Sequence, residues 1–343
     1  MGLLSKLSIL IVTYKGDDLL YNCLSSLQNA CEEMPEIVVV DNSANDATKK
    51  LVEAYPTAKY VASETNLGFA GGNNLGLPYC TKPYVLLLNN DTIIHKEPFT
   101  QLIEYLENNP RVAVVQGKMR LVNQGEVLDS CGGLLTPIGE VAFLFNNAPI
   151  ASRVKTRAVF AAKGACLLFK REIIDKVGGF LFYDHFKSYY EDVDFCHRVW
   201  VAGFEVHFVD TPMIDHLQGA TAKKFSNAEI NAQCLANADF SLAVSLGFFG
   251  RIFIAVPRKI FRVILLFCAK IKGHQELLDT FKKAKEINSL RSEAIIQSRK
   301  LVQNFRGVSD YSILKAVMRF PPLSYYFAIM RGNSIKINKI FWR

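Results

Sequence analysis

Asn89, Asn90 and Asp91 end Tyr84-Val85-Leu86-Leu87-Leu88, a short apolar run that turns abruptly polar. One carboxylate in such a place could hold a hard divalent cation, because Mg2+ and Mn2+ take few protein oxygens and complete their shells with water and substrate phosphate. A turn followed by a helix cap accounts for the same residue types. A second acidic group, Glu191-Asp192-Val193-Asp194, opens a stretch with helical spacing through Val193, Cys196, Val199 and Trp200, closed by Gly203. Carboxylates there suit general-base chemistry, and equally suit capping, since a helix N-terminus favours negative charge. Asp215-His216 adds an imidazole beyond Pro212, by type either a metal ligand or a structural histidine.

These groups need elements to carry them. The run 84–88 is too short for an ordinary helix and suits a strand buried on both faces of a parallel sheet. Leu7–Tyr14 and Glu36–Val40 repeat the pattern, ending in Thr13-Tyr14 and Asp41-Asn42-Ser43, and Lys59–Ala62 repeats it more weakly. Helical spacing follows over Asp17–Ala30, Ala47–Tyr55 and Pro98–Asn108. Short strands alternating with helices predict a doubly wound, mostly parallel α/β sheet, and such sheets bind ligands beyond the carboxyl ends of their strands. The Gly- and Asn-rich stretch 65–74 is expected between a strand and a helix, its glycines allowing close approach to a phosphate or sugar. Its spacing is not Gly-x-Gly-x-x-Gly, which counts against a dinucleotide oxidoreductase. Further strands are expected over Val112–Gln116, Phe160–Phe169 and Phe204–Val209, with 117–157 irregular.

Five clusters in this order resemble inverting family-2 glycosyltransferases of the A-type fold, particularly the rhamnosyl- and galactofuranosyltransferase branch. They are Ile11-Val12-Thr13-Tyr14, Val39-Val40-Asp41-Asn42-Ser43, Asn66-Leu67-Gly68-Phe69-Ala70-Gly71-Gly72-Asn73-Asn74, Leu87-Leu88-Asn89-Asn90-Asp91 and Glu191-Asp192-Val193-Asp194. The resemblance covers about Leu7 to about Gln218. It implies that Thr13, Tyr14 and Asp41 hold the nucleotide base and ribose, with Asn66, Gly68, Gly72, Asn73, Asn89 and Asn90 completing the nucleotide-sugar site. It implies a divalent metal, Mg2+ or Mn2+, on Asp91 and His216. Asn89 stands where the family's Asp-x-Asp element has its first Asp, so the metal relies on Asp91. The Glu191-Asp192 element implies the general base, Asp192. The implied reaction moves a sugar, with rhamnose from dTDP-rhamnose the specific expectation, to a cell-surface glycan or lipid-linked acceptor. A protein of this fold that binds nucleotide-sugar or glycan without turnover is the alternative. Lys163 and Trp200 are open between acceptor contacts and, respectively, a solvated lysine and a core tryptophan.

A net charge of +8 over 343 residues, half of them apolar, describes a globular protein with anionic partners. The basic residues interleave with apolar ones late in the chain, not along a reading helix, which disfavours nucleic acid. Eight scattered cysteines without paired spacing suit reduced thiols. Six residues before the first strand are too few for a signal peptide, and no segment reaches the roughly 18 apolar residues of a spanning helix. A cytoplasmic protein held peripherally at the inner face of the membrane is therefore expected, with a catalytic domain over 1–238 and a helical, basic amphipathic region over 239–343. Leu242–Ile271 and the tail Lys336–Arg343 carry the amphipathic signal. Glu276–Arg306 is expected as one charged helical stretch.

Overall fold

The computed structural model describes residues 2–122, 127–217 and 227–330. The first half alternates strand and helix: β1 (Leu7–Thr13), α1 (Asp17–Ala30), β2 (Glu36–Asp41), α2 (Asp46–Glu53), β3 (Ala58–Ala62), α3 (Gly68–Gly76) and β4 (Tyr84–Leu88). Next come β5 (Thr92–Ile94), α4 (Phe99–Asn108), β6 (Val112–Gln116), β7 (Met119–Leu121) and β8 (Val127–Leu128). After these lie β9 (Gly133–Leu135), β10 (Val141–Phe143), β11 (Arg157–Ala158) and β12 (Cys166–Lys170). Then follow α5 (Ile173–Lys176), α6 (Glu191–Val201), β13 (Glu205–Phe208) and β14 (Ile214–His216).

The main sheet has eight strands in the order β11-β13-β6-β12-β4-β1-β2-β3. Register along β1 runs parallel to both neighbours, with Ile9 opposite Ile37 on one side and Leu86 on the other. β4 is buried throughout because its side chains divide between two cores: Val85 and Leu87 on one face, Leu86 and Leu88 on the other. Two strands break the parallel rule. β12 lies antiparallel between β4 and β6, and β11 antiparallel to β13. The sheet is mixed but parallel-rich, the architecture expected of an A-type glycosyltransferase.

Three local expectations are corrected. The Gly/Asn-rich segment is not a loop: its residues 68–76 form α3, which lies so close to the sheet that a Cβ on Gly76 would come within 2.6 Å of both Leu10 and Val40 side chains. Glycine lowers helix propensity but lets helix and strands touch, and packing wins. Residues 117–157 are not merely irregular. β7 and β8 join β5 and β14 in a four-stranded sheet, and β9 and β10 form a hairpin. The strand expected over 160–169 begins only at Cys166, because Lys163 and Gly164 turn into the site.

Helices complete the chain: α7 (Asn227–Ser245), α8 (Phe248–Gly250), a π-helical turn at Arg251–Ala255, α9 (Val256–Lys272), α10 (Gln275–Leu290), α11 (Ser292–Asn304), α12 (Asp310–Val317) and α13 (Leu323–Met330). The charged stretch expected as one helix breaks at Arg291, whose guanidinium turns inward to the His185 carbonyl and to Asn237. Phe240, Leu242 and Val244 of α7 belong to the same core as Phe160 and Trp200. The tail Lys336–Arg343 lies outside the described residues.

Candidate active site

The turn between β4 and β5 carries Asp91, and β14 pairs antiparallel with β5 so that His216 stands opposite Thr92. This pairing leaves His216 Nε2 3.4 Å from Asp91 Oδ1. On the other side of the ring, His216 Nδ1 lies 2.7 Å from Oδ2 of Asp129, whose second oxygen accepts from the Lys163 ammonium. Asp129 is wholly buried. Burial would raise its carboxyl, but the hydrogen bond from His216 and the charge of Lys163 hold it below the usual carboxylate range. Burial would lower His216, yet Asp129 and Asp91 push it up to about 9.

Asp91 Oδ1 is buried and accepts no hydrogen bond among the described residues. A buried carboxylate oxygen without a donor is costly unless a cation meets it. That orphaned oxygen beside an imidazole nitrogen, with a carboxylate behind the imidazole, fits a divalent metal with an oriented histidine ligand. Among the described residues no third His, Cys, Asp or Glu joins the pair, so water and diphosphate oxygens would complete the shell.

The acidic cluster opens α6 as expected, and its three carboxylates have different environments. Asp194 faces inward to Arg198, Oδ2 to Nε 2.9 Å, both almost fully buried. Arg198 also donates to the carbonyls of Val177, Phe180 and Leu181, so Asp194 serves the core. Glu191 is buried, and burial followed by the charge of Asp192 raises its carboxyl well above the usual range. Asp192 is partly exposed and accepts at Oδ2 from the Gly164 amide, 2.8 Å away. Burial raises its carboxyl too, while the amides of Gly164 and Val193 and the charge of Lys163 oppose the shift. Burial thus raises both carboxyls, and Asp192 has the Gly164 amide and Lys163 to oppose the shift.

The link between these groups is a short stretch of backbone. Gly164 supports Asp192, Lys163 supports Asp129, and the Ala165 carbonyl accepts from the Asn89 amide at 3.1 Å. Asp192 on one side and the Asn89-Asp91 turn with the Asp129–His216 pair on the other are thus tied to three consecutive residues, Lys163, Gly164 and Ala165, that lead into β12. The approach to α6 is strained: Lys187, Tyr189 and Tyr190 all have positive φ, at 57°, 72° and 75°. Asn237 of α7 holds it, its Nδ2 within 2.7 Å of the Tyr189 carbonyl and 3.1 Å of that of Phe186. Arg291 holds Asn237 in turn, 2.8 Å from its Oδ1.

The ends of β1 and β2 border a cavity of about 560 Å³ lined by Lys15, Asp17, Ser43, Asn45 and Asp46. Tyr14 is half-buried, with the Lys15 ammonium 5.5 Å from its ring centroid. Thr13 Oγ1 accepts from Asn90 Nδ2 at 2.9 Å, joining the two strand ends. Asp41 is engaged by the protein itself. It is fully buried and accepts from the Ser43 and Asn45 amides, the Ser43 hydroxyl and Tyr60, the pattern of an Asx turn. Asn66 caps the Gly68 amide, and Asn73 donates back to the Phe69 carbonyl. A Cβ on Gly68 would meet the Lys187 carbonyl at 2.5 Å, and one on Gly72 would meet Val12 at 2.7 Å. These two glycines therefore face protein, not an open cradle, and Gly68 ties α3 to the strained approach to α6.

Residues 8–178 match the family described as Glycosyl transferase family 2. The chain carries a family 2 glycosyltransferase domain. The low-salt glycan biosynthesis hexosyltransferase Agl10 of Haloferax volcanii is 29% identical over 206 residues, covering 57% of this chain and 62% of that protein. A poly-beta-1,6-N-acetyl-D-glucosamine synthase of Staphylococcus epidermidis is 25% identical over 175 residues, 50% of this chain and 41% of that one. The chain thus spans between about two fifths and three fifths of the length of these relatives. Two solved structures share the fold at 14% identity and a TM-score of 0.53. The mannosyltransferase PcManGT from Pyrobaculum calidifontis, in complex with GDP-Man and Mn2+, aligns over 98% of this chain and 84% of its own. GalNAc-T7, with UDP, GalNAc and Mn2+, aligns over 70% and 48%.

The supports of these clusters have no signal in the sequence. Asp129 sits in a stretch without periodicity, and nothing in its spacing pairs it with His216, 87 positions away. Asn237 sits at the very end of the expected catalytic domain, and Arg291, which holds it, lies beyond that boundary. Trp200 is buried, donating to the Val159 carbonyl at 3.1 Å, and serves the core.

Proposed function

We propose that the chain is an inverting glycosyltransferase that moves a sugar from a nucleotide-diphosphate donor to a hydroxyl of a glycan, lipid-linked or at the cell surface, from the cytoplasmic face of a membrane. The observation that carries this is the shared support: consecutive residues Lys163 and Gly164 hold the Asp129 behind His216 and Asp91 on one side and a partly exposed Asp192 on the other. Asp192 takes the proton of the acceptor hydroxyl, whose oxygen bonds to the anomeric carbon while the bond to the diphosphate breaks and its electron pair leaves with the diphosphate. Direct displacement inverts the anomeric centre. Asp91 and His216 would hold Mg2+ or Mn2+, which would offset the negative charge developing on the leaving diphosphate. Thr13, Tyr14 and Asp41, with the cavity beside them, form the base and ribose side, Asp41 by fixing its turn. Asn66, Gly68, Gly72, Asn73, Asn89 and Asn90 shape the donor site, mostly by positioning backbone.

Within this reading the catalytic unit is 1–238, and 239–343 is a helical region that faces acceptor and membrane. The hexosyltransferase and polysaccharide-synthase relatives support sugar transfer to a glycan, and the Mn2+ complexes of the fold relatives support the metal. The donor we propose is dTDP-rhamnose, on the five clusters that resemble the rhamnosyltransferase branch. Thermal melting with dTDP, UDP and GDP, each with Mn2+ and with chelator, tests it. A nucleotide at a hundred times its dissociation constant adds about 2.7 kcal/mol. Metal-dependent stabilisation by dTDP alone is expected. Preference for UDP or GDP removes rhamnose, and binding without turnover of any sugar nucleotide returns the chain to a binding role.

A further inference from the structure

Between Phe248 and Lys272 the chain has six basic residues and no acidic one. The two sides of α9 differ in kind. One side is fixed to the body: Arg258 and Arg262 pair with Asp239, and Leu265 and Ala269 are buried. The opposite side, an arc of about 100° at 3.6 residues per turn, is apolar and unpartnered. Ile260, Val263, Phe267 and Ile271 stand there between 58% and 70% exposed, and Phe248 and Phe253 continue the exposure toward the start of the region at 73% and 55%. Lys259 and Lys270 edge this stripe on one flank and Lys272 on the other, all exposed and free of ion pairs among the described residues.

We propose that this face docks on an anionic lipid bilayer, with α9 lying in the plane of the headgroups. An apolar stripe of this extent on a water-facing helix marks a contact surface. Lipid suits it better than a second copy of the chain, because self-pairing would set the flanking lysines of two copies against each other, whereas anionic headgroups meet them with opposite charge. Apolar side chains on one side and lysines at the edges are the arrangement of a helix buried to the headgroup boundary. No helix among the described residues is long and apolar enough to cross a membrane, so the contact is with a surface.

The anchored side of the same helix is linked to Lys163 through the β9–β10 hairpin. Arg258 donates to Glu140 at 2.6 Å and to the Ile138 carbonyl at 2.8 Å, in the turn that joins β9 to β10. β10 ends at Phe143, whose ring centroid is 5.6 Å from the Lys163 ammonium. The hairpin therefore spans from the lipid-facing helix to the residue that backs Asp129. A bilayer on α9 would border the acceptor side, which favours a lipid-linked acceptor. That last clause rests on the glycosyltransferase reading, and the docking itself does not.

The test is sedimentation of the full chain with vesicles of phosphatidylcholine, alone or mixed with phosphatidylglycerol, beside nucleotide-induced melting shifts on the same preparation. Binding to the mixed vesicles only, weakened by salt, is expected. Lys259→Gln/Lys270→Gln/Lys272→Gln should lower that affinity on the order of a hundredfold. Ile260→Ser/Phe267→Ser should lower it at least about tenfold. Both variants should melt with the wild type, because every altered side chain is exposed. No vesicle binding, or binding that both variants leave unchanged, overturns the docking face. So does a solution dimer that Ile260→Ser/Phe267→Ser dissolves, since the face then belongs to a second copy. Docking without any nucleotide response keeps the surface and removes the lipid-linked acceptor; nucleotide response without docking keeps the glycosyltransferase reading and removes the surface.

Discussion

Asp129 holds His216 by its Nδ1, 2.7 Å away, and so turns Nε2 toward the orphaned oxygen of Asp91. Asp129→Asn keeps the shape and loses the charge behind the ring. Such partners of metal ligands typically contribute 10- to 100-fold to metal affinity. Mn2+ titration followed by calorimetry should show a loss of about that size with the fold intact. Affinity equal to wild type would mean that His216 is not a ligand.

The pH behaviour of the same histidine has a definite sign. Its pKa is raised from an ordinary 6.5 to about 9 in the metal-free fold. The protonated ring therefore contributes stability that is fully present below about 6.5 and is lost as pH rises through about 9. Denaturant midpoints of metal-free protein should fall across that window for wild type and stay flatter for His216→Gln. Metal competes with the same proton, so Mn2+ affinity should rise with pH over the same range.

Asp192→Asn should cut transfer by about 10²- to 10⁴-fold, the usual worth of a general base, while nucleotide-induced stabilisation persists. Glu191→Gln should cost far less. Burial already raises that carboxyl well above its usual range and disfavours its charged form, and an amide keeps its shape. The turnover rate of the wild type should climb with pH above the ordinary Asp range, because the Asp192 carboxyl is raised. Equal losses in the two variants would sink the division of roles.

Asp194→Ala should destabilise by about 3–5 kcal/mol, as expected when a buried ion pair loses one member and Arg198 is left uncompensated. Urea unfolding measures it. A stable but inactive variant would instead put Asp194 in the chemistry.

Asn237→Ala removes the donor that meets the carbonyls of Tyr189 and Phe186 and frees the positive-φ approach to α6. The expected signature is a fall in turnover of about tenfold or more with donor affinity unchanged, as for a remote displacement of a catalytic group. A matching loss of donor affinity would show that the whole fold had suffered.

How much of this was legible in the sequence follows from range. β1, β2, β4 and α1 announce themselves because their patterns are local, and α1 runs over the expected Asp17–Ala30. Period and punctuation also located the carboxylates at the start of α6. What was hidden depends on contacts far along the chain. α3 looks like a loop because six residues of its nine are Gly or Asn, and only the sheet beneath makes a helix of it. β12 gives no sign of its direction, since antiparallel and parallel strands buried on both faces have the same composition. Asp41 shows the limit from the other side: its position was readable, but its full set of protein partners was not.

The reversal of β12 has a consequence for how such a site can change. Parallel strands deliver residues from the loops that follow them, each loop free to drift alone. A strand running the other way brings in the segment that precedes it, and here Lys163 and Gly164 are consecutive. One of them steadies the residues proposed for the leaving group and the other the residue proposed for the incoming hydroxyl. Any insertion or twist there moves both at once. Mutational drift toward new sugars or new acceptors is thereby steered away from this hinge, to the β1 and β2 ends for the donor and to the β9–β10 hairpin for the acceptor.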